Sequence, residues 1–225
     1  METMIQAEKL TKRYEGELVL DNLSLEIYKG EFVAIMGRSG CGKSTLLYCA
    51  SGMDRTYEGR LTFGGRNLQE LTAPEMEQLR LRQMGFIFQK PHFLRSLSIQ
   101  DNIIFPAFQA GLRPRKEILE EAYDLMEQMG IAEIAEKDSL KVSGGQLQRA
   151  AICRALINHP AMLFGDEPTG ALNSSAAEDV MDILQRIHQK GTTILMVTHD
   201  EKVAARADRI IHLRDGMISH DTGIA

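Results

Sequence analysis

The sequence predicts an α/β protein with a mostly parallel sheet flanked by helices, an N-terminal antiparallel β part and an inserted helical subdomain. Three observations support this fold class: strand-like alternation in the first 35 residues, helical spacing in the middle third, and alternating helices and strands beyond it. With 225 residues, 44% of them apolar, the chain can bury a substantial core. We predict one domain, residues 1–225, with a core of 1–88 and 143–225 and a helical subdomain at 89–142.

The first part of the chain has the period of β-strands. Leu23, Leu25 and Ile27 fall on one face of a predicted strand. The apolar run at 32–36 is typical of a buried strand, and it leads directly into a glycine-rich segment and a helix. Residues 59–68 are predicted to form a further hairpin.

The rest of the chain changes from helical spacing to alternating elements. Residues 116–129 have the clearest helical period, and Gly130 is placed to end that helix. The other predicted elements are helices at 75–84, 144–158 and 174–189 and strands at 85–88, 161–164 and 192–197. Asp215 and Gly216 predict a closing hairpin. Helices alternating with strands favour a parallel sheet.

Composition excludes several functional classes. The chain has no apolar run long enough to span a membrane and no signal-peptide pattern at its start. Its formal charge of -5 argues against a nucleic-acid partner that is bound through phosphate neutralisation. Cys41, Cys49 and Cys153 form no C-x-x-C pair, so we expect free thiols in a reducing cytosol, with neither a disulfide nor zinc.

Residues 37–44 satisfy the pattern G-x-x-x-x-G-K-[ST] between a predicted strand and a predicted helix. Backbone N–H groups in such a loop surround phosphate oxygens, while Lys43 bridges the outer phosphates and Ser44 ligates Mg²⁺. A plain strand-to-helix turn would leave the glycines unexplained. The sequence therefore predicts a P-loop NTPase core whose phosphate-binding residues are Gly37, Arg38, Ser39, Gly40, Cys41, Gly42, Lys43, Ser44 and Thr45.

A second anion-binding helix terminus is predicted at residues 143–146. Ser143 and Gln146 have the spacing of a capping box, and Gly144 and Gly145 remove side chains where the helix begins. By itself this pattern fits a capped structural helix equally well.

Polar residues end two of the predicted strands. Asp166 and Glu167 follow an apolar strand, which suits Mg²⁺ binding by Asp166 and general-base chemistry by Glu167. We expect Pro168 to hold Glu167 in an extended conformation. His199 ends the strand at 192–197, where it is placed to report on the γ-phosphate and to position the attacking water. The alternatives are a pair of exposed acids and a structural histidine.

In their order and spacing these motifs resemble those of the ABC ATPases, and the resemblance covers nearly the whole chain. It assigns Gln89 to the Q-loop, 142–146 to the signature and 170–173 to the D-loop, and His199 becomes the switch histidine. It also implies that Gln89 is a Mg²⁺ ligand and catalytic residue, and that Tyr14 stacks on adenine. The implied ligands are ATP and Mg²⁺.

The resemblance further implies a head-to-tail pair of copies, with each ATP between one P-loop and the other copy's Ser143, Gly144, Gly145 and Gln146. A separate transmembrane permease is the second implied partner, which would place the chain in the cytoplasm, peripheral on the inner face of the cell membrane. A nontransport ABC ATPase that signals through a membrane partner to cell-envelope enzymes is the alternative. Phe93, Leu94 and Leu97 fit either an apolar groove for the partner or the subdomain core.

The segments FIFQK and DEPTGAL resemble the lipoprotein-release, macrolide-export and bacitracin-export group. Asn173 departs from the family pattern because it replaces the usual D-loop aspartate. An asparagine keeps an acceptor but loses the charge, which leaves communication between the two sites and the hydrolysis rate open.

Overall fold

A computed structural model of the chain describes residues 2–223. The elements, in chain order, are β1 (Thr3–Tyr14), β2 (Glu17–Tyr28), β3 (Phe32–Met36), α1 (Lys43–Ala50), β4 (Glu58–Phe63), β5 (Arg66–Asn67), α2 (Ala73–Gln83), β6 (Met84–Phe88), α3 (Ile99–Ala110), α4 (Arg115–Gln128), α5 (Gly144–Leu156), β7 (Met162–Asp166), α6 (Ser174–Gln189), β8 (Thr193–Thr198), α7 (Glu201–Ala204), β9 (Arg209–Arg214) and β10 (Met217–Asp221). Two compact units are formed, one from Met1–Glu77 with Ile187–Ala225 and one from Gln78–Arg186.

An antiparallel sheet in the first unit has the strand order β2-β1-β4-β5. Ile5, Ala7 and Leu10 of β1 are buried, and the alternation of buried and exposed positions is interrupted between Ala7 and Leu10, where the register with β2 shifts. The predicted N-terminal strands and the hairpin at 59–68 are confirmed, because β1 pairs with β2 and β4 pairs with β5.

Parallel strands form the second sheet region of the first unit. β3 pairs in parallel with β8 and with β9, and β10 pairs antiparallel with β9. All five residues of β3 are buried, as a continuous apolar run predicts for a central parallel strand. The hairpin between β9 and β10 turns at Asp215 and Gly216, both at positive φ, in agreement with the prediction.

The second unit combines a parallel strand pair, β6 and β7, with the helices α3, α4 and α5. Ile103, Ile118 and Ala150, one from each of these helices, belong to a single buried apolar cluster. Phe93 packs against this cluster, as the core alternative predicts, whereas Leu94 is 49% exposed and Leu97 is half-buried. The groove for a partner stays a prediction. Within residues 2–223, no helix is long and apolar enough to cross a membrane.

Candidate functional site

The loop between β3 and α1 closes around the Lys43 side chain. Its ammonium donates to the carbonyl oxygens of Gly37 at 2.8 Å and Arg38 at 2.9 Å, and the residue is only 7% exposed. Gly42 at the N-cap has φ 101, and among the residues described the α1 terminus has no side-chain cap hydrogen bond. Helix N-termini lack intrahelical partners for their first N–H groups and carry the positive end of the helix dipole, which suits such a terminus to bind an anion.

Two glycines of this loop are required by close approaches. A Cβ at Gly37, φ 156, would collide with the Leu213 carbonyl oxygen and the Cys41 sulfur. A Cβ at Gly42 would lie 2.8 Å from the Val19 carbonyl oxygen. Any other residue at these two positions would therefore force main-chain atoms apart.

His199 lies at the same sheet edge as the P-loop. Met36 of β3 pairs with Thr198 of β8 in parallel register, so Gly37 and His199 leave neighbouring strands side by side. Asp200 then caps α7, because its carboxylate accepts from the Lys202 N–H at 2.8 Å and from the Val203 N–H at 3.3 Å. The strand end and the cap together hold His199, an exposed residue, at this edge.

Tyr14 is held by charged neighbours that sequence reasoning missed. Its hydroxyl donates to Asp54 at 2.7 Å, and the ammonium of Lys12 lies 4.5 Å from the ring centroid. Lys12 is 3% exposed and also pairs with Asp54 at 2.8 Å. Partial burial and the hydrogen bond to Asp54 raise the pKa of Tyr14 to about 12. The ring, with the residue 43% exposed, is oriented before any ligand binds.

In the second unit, Gln89 and Glu167 follow paired strand ends. Phe88 of β6 pairs with Asp166 of β7 in parallel register. A Cβ built at Gly170 would lie 2.8 Å from Gln89 Nε2 and 3.1 Å from Glu167 Oε2, so both side chains converge over this glycine. The structure thus brings together two of the predicted catalytic groups.

The predicted extended backbone at Glu167 is wrong. Its φ is 47°, in the left-handed region, although proline follows it. The reason is a tight turn in which the Gly170 N–H donates to the Glu167 carbonyl at 3.0 Å. A non-glycine residue with this φ costs about 1–3 kcal/mol, a strain typical of active sites.

The predicted capping box is confirmed at the start of α5. Ser143 Oγ accepts from the Gln146 N–H at 3.3 Å, and Gln146 Oε1 accepts from the Ser143 N–H at 3.0 Å. Ser143 and Gly144 are exposed and line a cavity of about 390 Å³, which Leu172 and Asn173 also line. The Asn173 side chain accepts from the Ala176 N–H at 2.9 Å and so caps α6.

Gln148 is a further residue that sequence reasoning missed. It lies on the buried side of α5 and is 1% exposed. Its amide nitrogen donates to the Phe88 carbonyl at 3.1 Å and to the Pro168 carbonyl at 2.6 Å. The available signal was a polar residue on the otherwise apolar, buried face formed by Ala150, Ala151 and Ile152.

Ser44, Gln89 and Asp166 offer hydroxyl, amide and carboxylate oxygens. Oxygen donors of these kinds are the ligands that Mg²⁺ prefers, and Mg²⁺ takes only one or two protein carboxylates when phosphates supply further ligands. Each of these side chains, taken by itself, is therefore of a type that Mg²⁺ accepts as a ligand.

The chain matches the ABC transporter family over residues 20–170. Its curated relatives include the macrolide export ATP-binding/permease protein MacB of Aggregatibacter actinomycetemcomitans, 44% identical over 219 residues, which are 95% of this chain and 34% of the relative. MacB of Escherichia coli (strain K12) is 44% identical over 200 residues, 89% of this chain and 31% of the relative. The chain spans about a third of the length of these relatives.

Solved structures show the same fold. A dimeric structure of MJ0796, described as a bacterial ABC transporter cassette, has a TM-score of 0.90 and 34% identity, and the match covers 97% of each chain. A post-hydrolysis state of MJ0796 bound to ADP and Pi has a TM-score of 0.90 and 33% identity, with the same coverage. The predicted fold class is confirmed.

Proposed function

The chain belongs to the ABC transporter family as an ATPase cassette, and we propose that it powers an export complex by hydrolysing MgATP between two copies of itself. The relatives named for macrolide export, together with the FIFQK and DEPTGAL segments, support the export assignment. In this proposal a transmembrane permease is the second partner, and the chain works in the cytoplasm, peripheral on the inner face of the cell membrane.

ATP binding starts at the P-loop. The N–H groups at the start of α1 and the Lys43 ammonium hold the phosphates, and Tyr14 stacks on the adenine. In this role Lys43 exchanges its present carbonyl partners, Gly37 and Arg38, for phosphate oxygens. Ser44, Asp166 and Gln89 would hold Mg²⁺, which would neutralise negative charge on the phosphates.

Hydrolysis uses the two groups that converge over Gly170. Glu167 accepts a proton from water while the water oxygen bonds to the γ-phosphorus and the bond to the β–γ bridging oxygen breaks, which gives ADP and phosphate. Gln89 and His199 orient the water and the γ-phosphate. The convergence of Gln89 and Glu167 is the observation that carries this proposal.

A second copy completes each site. Ser143, Gly144, Gly145 and Gln146 form the start of α5, where Ser143 and Gly144 are exposed and where N–H groups and the helix dipole favour an anion. The dimeric form of MJ0796 supports such a pairing. ATP draws the two copies together, and its hydrolysis weakens the attraction.

The proposal is tested by ATPase assays and by reconstitution. The purified chain is expected to release phosphate from ATP when Mg²⁺ is present, and this release is expected to stop when EDTA removes the metal. Co-reconstitution with its permease in vesicles is expected to give ATP-dependent substrate movement across the bilayer. ATP hydrolysis without any movement of substrate would favour the signalling alternative, and no hydrolysis in either preparation would refute the ATPase mechanism.

A further inference from the structure

We propose that Gln148 is a positioning residue which ties the signature helix to both catalytic turns of the same subunit, and this inference rests on the proposed function. Its amide nitrogen carries two hydrogens, and each has a main-chain acceptor: the carbonyl of Phe88 and the carbonyl of Pro168. One acceptor directly precedes Gln89 and the other directly follows Glu167.

Burial makes these two hydrogen bonds consequential. Gln148 is 1% exposed, and its bond to Pro168 is fully buried, so water cannot replace the donor if it is lost. Two carbonyl groups would then lose this donor, one just before the Q-loop residue Gln89 and one just after the general base Glu167. We expect the turn at Glu167 to shift when this bond is lost, because its backbone is already held in the strained left-handed region.

Gln148 lies on the same helix as the signature residues, so it connects them to the turns at Gln89 and Glu167. Gly144 and Gln148 are four residues apart, which is about one helical turn, so the exposed end that meets ATP and the buried amide move as one rigid segment. In the proposed dimer, Ser143 and Gly144 of a subunit contact the ATP bound to the other copy, whereas Gln89 and Glu167 of that subunit act on its own ATP. Gln148 therefore lies on a direct covalent and hydrogen-bonded route between the two nucleotides.

A matched control lies just beyond the other end of the same helix. Asn158 Nδ2 also donates to two main-chain carbonyls, those of Leu81 at 2.9 Å and Pro106 at 3.1 Å, and no predicted catalytic residue adjoins them. Gln148→Met and Asn158→Leu each remove a pair of amide hydrogen bonds and keep a side chain of similar length. A purely structural role predicts the same behaviour from both variants.

The experiment measures kcat, the equilibrium Kd for MgATP and the melting temperature of both variants. We expect similar falls in melting temperature, a change in Kd below about twofold for each, and a fall in kcat of about tenfold for Gln148→Met only. If Gln148→Met does not fold, Gln148→Asn replaces it, since this variant keeps both amide donors on a shorter side chain. We expect its kcat to lie between the values of the wild type and of a tenfold-impaired enzyme.

A double-mutant cycle separates positioning from general damage. If Gln148 acts through Gln89 and Glu167, adding Gln148→Met to Gln89→Ala lowers kcat by clearly less than the product of the single effects, while the losses in melting temperature remain additive. Equal kcat for Gln148→Met and the wild type, or multiplicative effects in the cycle, would overturn the inference. Failure of the wild type to hydrolyse MgATP would instead overturn the proposed function.

Discussion

The two helix N-termini that carry the ATP-binding motifs differ in how their N–H groups are satisfied. The α1 terminus begins in a glycine turn, holds the buried Lys43 and, among the residues described, receives no side-chain cap. The α5 terminus is exposed, and Ser143 and Gln146 already supply it with a capping box. The first has no side chain at its N-cap, whereas the second is capped by its own side chains before any ligand binds.

This difference suggests separate tasks. An uncapped terminus with a cation beside it gains free energy mainly when phosphate binds, so it suits primary nucleotide binding. A capped terminus is stable in a free monomer and contributes to an anion site without depending on it for folding. We therefore expect substitutions at α1 to change ATP binding by the monomer and those at α5 to change the dimer.

Removal of the Lys43 ammonium should have the largest effect on binding. We expect Lys43→Met to weaken MgATP binding by about 100-fold, or about 2.7 kcal/mol, because the loop loses its one buried cation and its two carbonyl ties. Isothermal titration of the monomer measures this. Lys29→Met, at an exposed turn, is the control and should bind as the wild type does.

A pair of glycine substitutions sharpens the comparison. Gly37→Ala should destabilise the protein by about 1–3 kcal/mol, because its Cβ meets a main-chain oxygen. Gly144→Ala should change stability by less than about 0.5 kcal/mol, since its Cβ has ordinary clearance, 3.7 Å from Leu172. Yet we expect Gly144→Ala to weaken ATP-dependent dimerisation. Denaturant unfolding and sizing with ATP test both, and a strongly destabilised Gly144→Ala would contradict the comparison.

Loss of the α5 cap should give a smaller effect. Ser143→Ala removes the acceptor for the Gln146 N–H, which costs about 1 kcal/mol of unfolding free energy. The monomer's Kd for ATP should stay within about twofold of the wild-type value, whereas dimerisation should weaken. A marked loss of ATP binding by the monomer would show that α5 belongs to the primary site.

The smallest change is expected at a third N-terminus, that of α6. Asn173→Asp keeps the oxygen that accepts from the Ala176 N–H and adds a negative charge at the helix N-terminus. We expect a gain of about 0.3–1 kcal/mol in unfolding free energy near neutral pH. Thermal unfolding measures it, and a loss of stability would show that the amide's donors matter at this position.

Local features of this fold were predictable from the sequence and long-range ones were not. The P-loop, the capping box and the strand ends are encoded by neighbouring residues, so their patterns identified them. The acceptors of Gln148, Phe88 and Pro168, lie 60 and 20 residues away, and Lys12 lies 42 residues from Asp54. No local pattern identifies these contact partners. The Glu167 backbone was mispredicted because a turn outweighed the preference that its proline neighbour imposes.

The central claim is that Glu167, beside Gln89, hydrolyses ATP held between two copies of this chain. The most direct measurement is MgATP hydrolysis together with light-scattering sizing of the wild type and Glu167→Gln, with and without ATP. We expect the variant to lose about 100-fold or more in kcat and to accumulate as a dimer only when ATP is present. A variant that binds ATP, remains monomeric and keeps wild-type activity would contradict the claim.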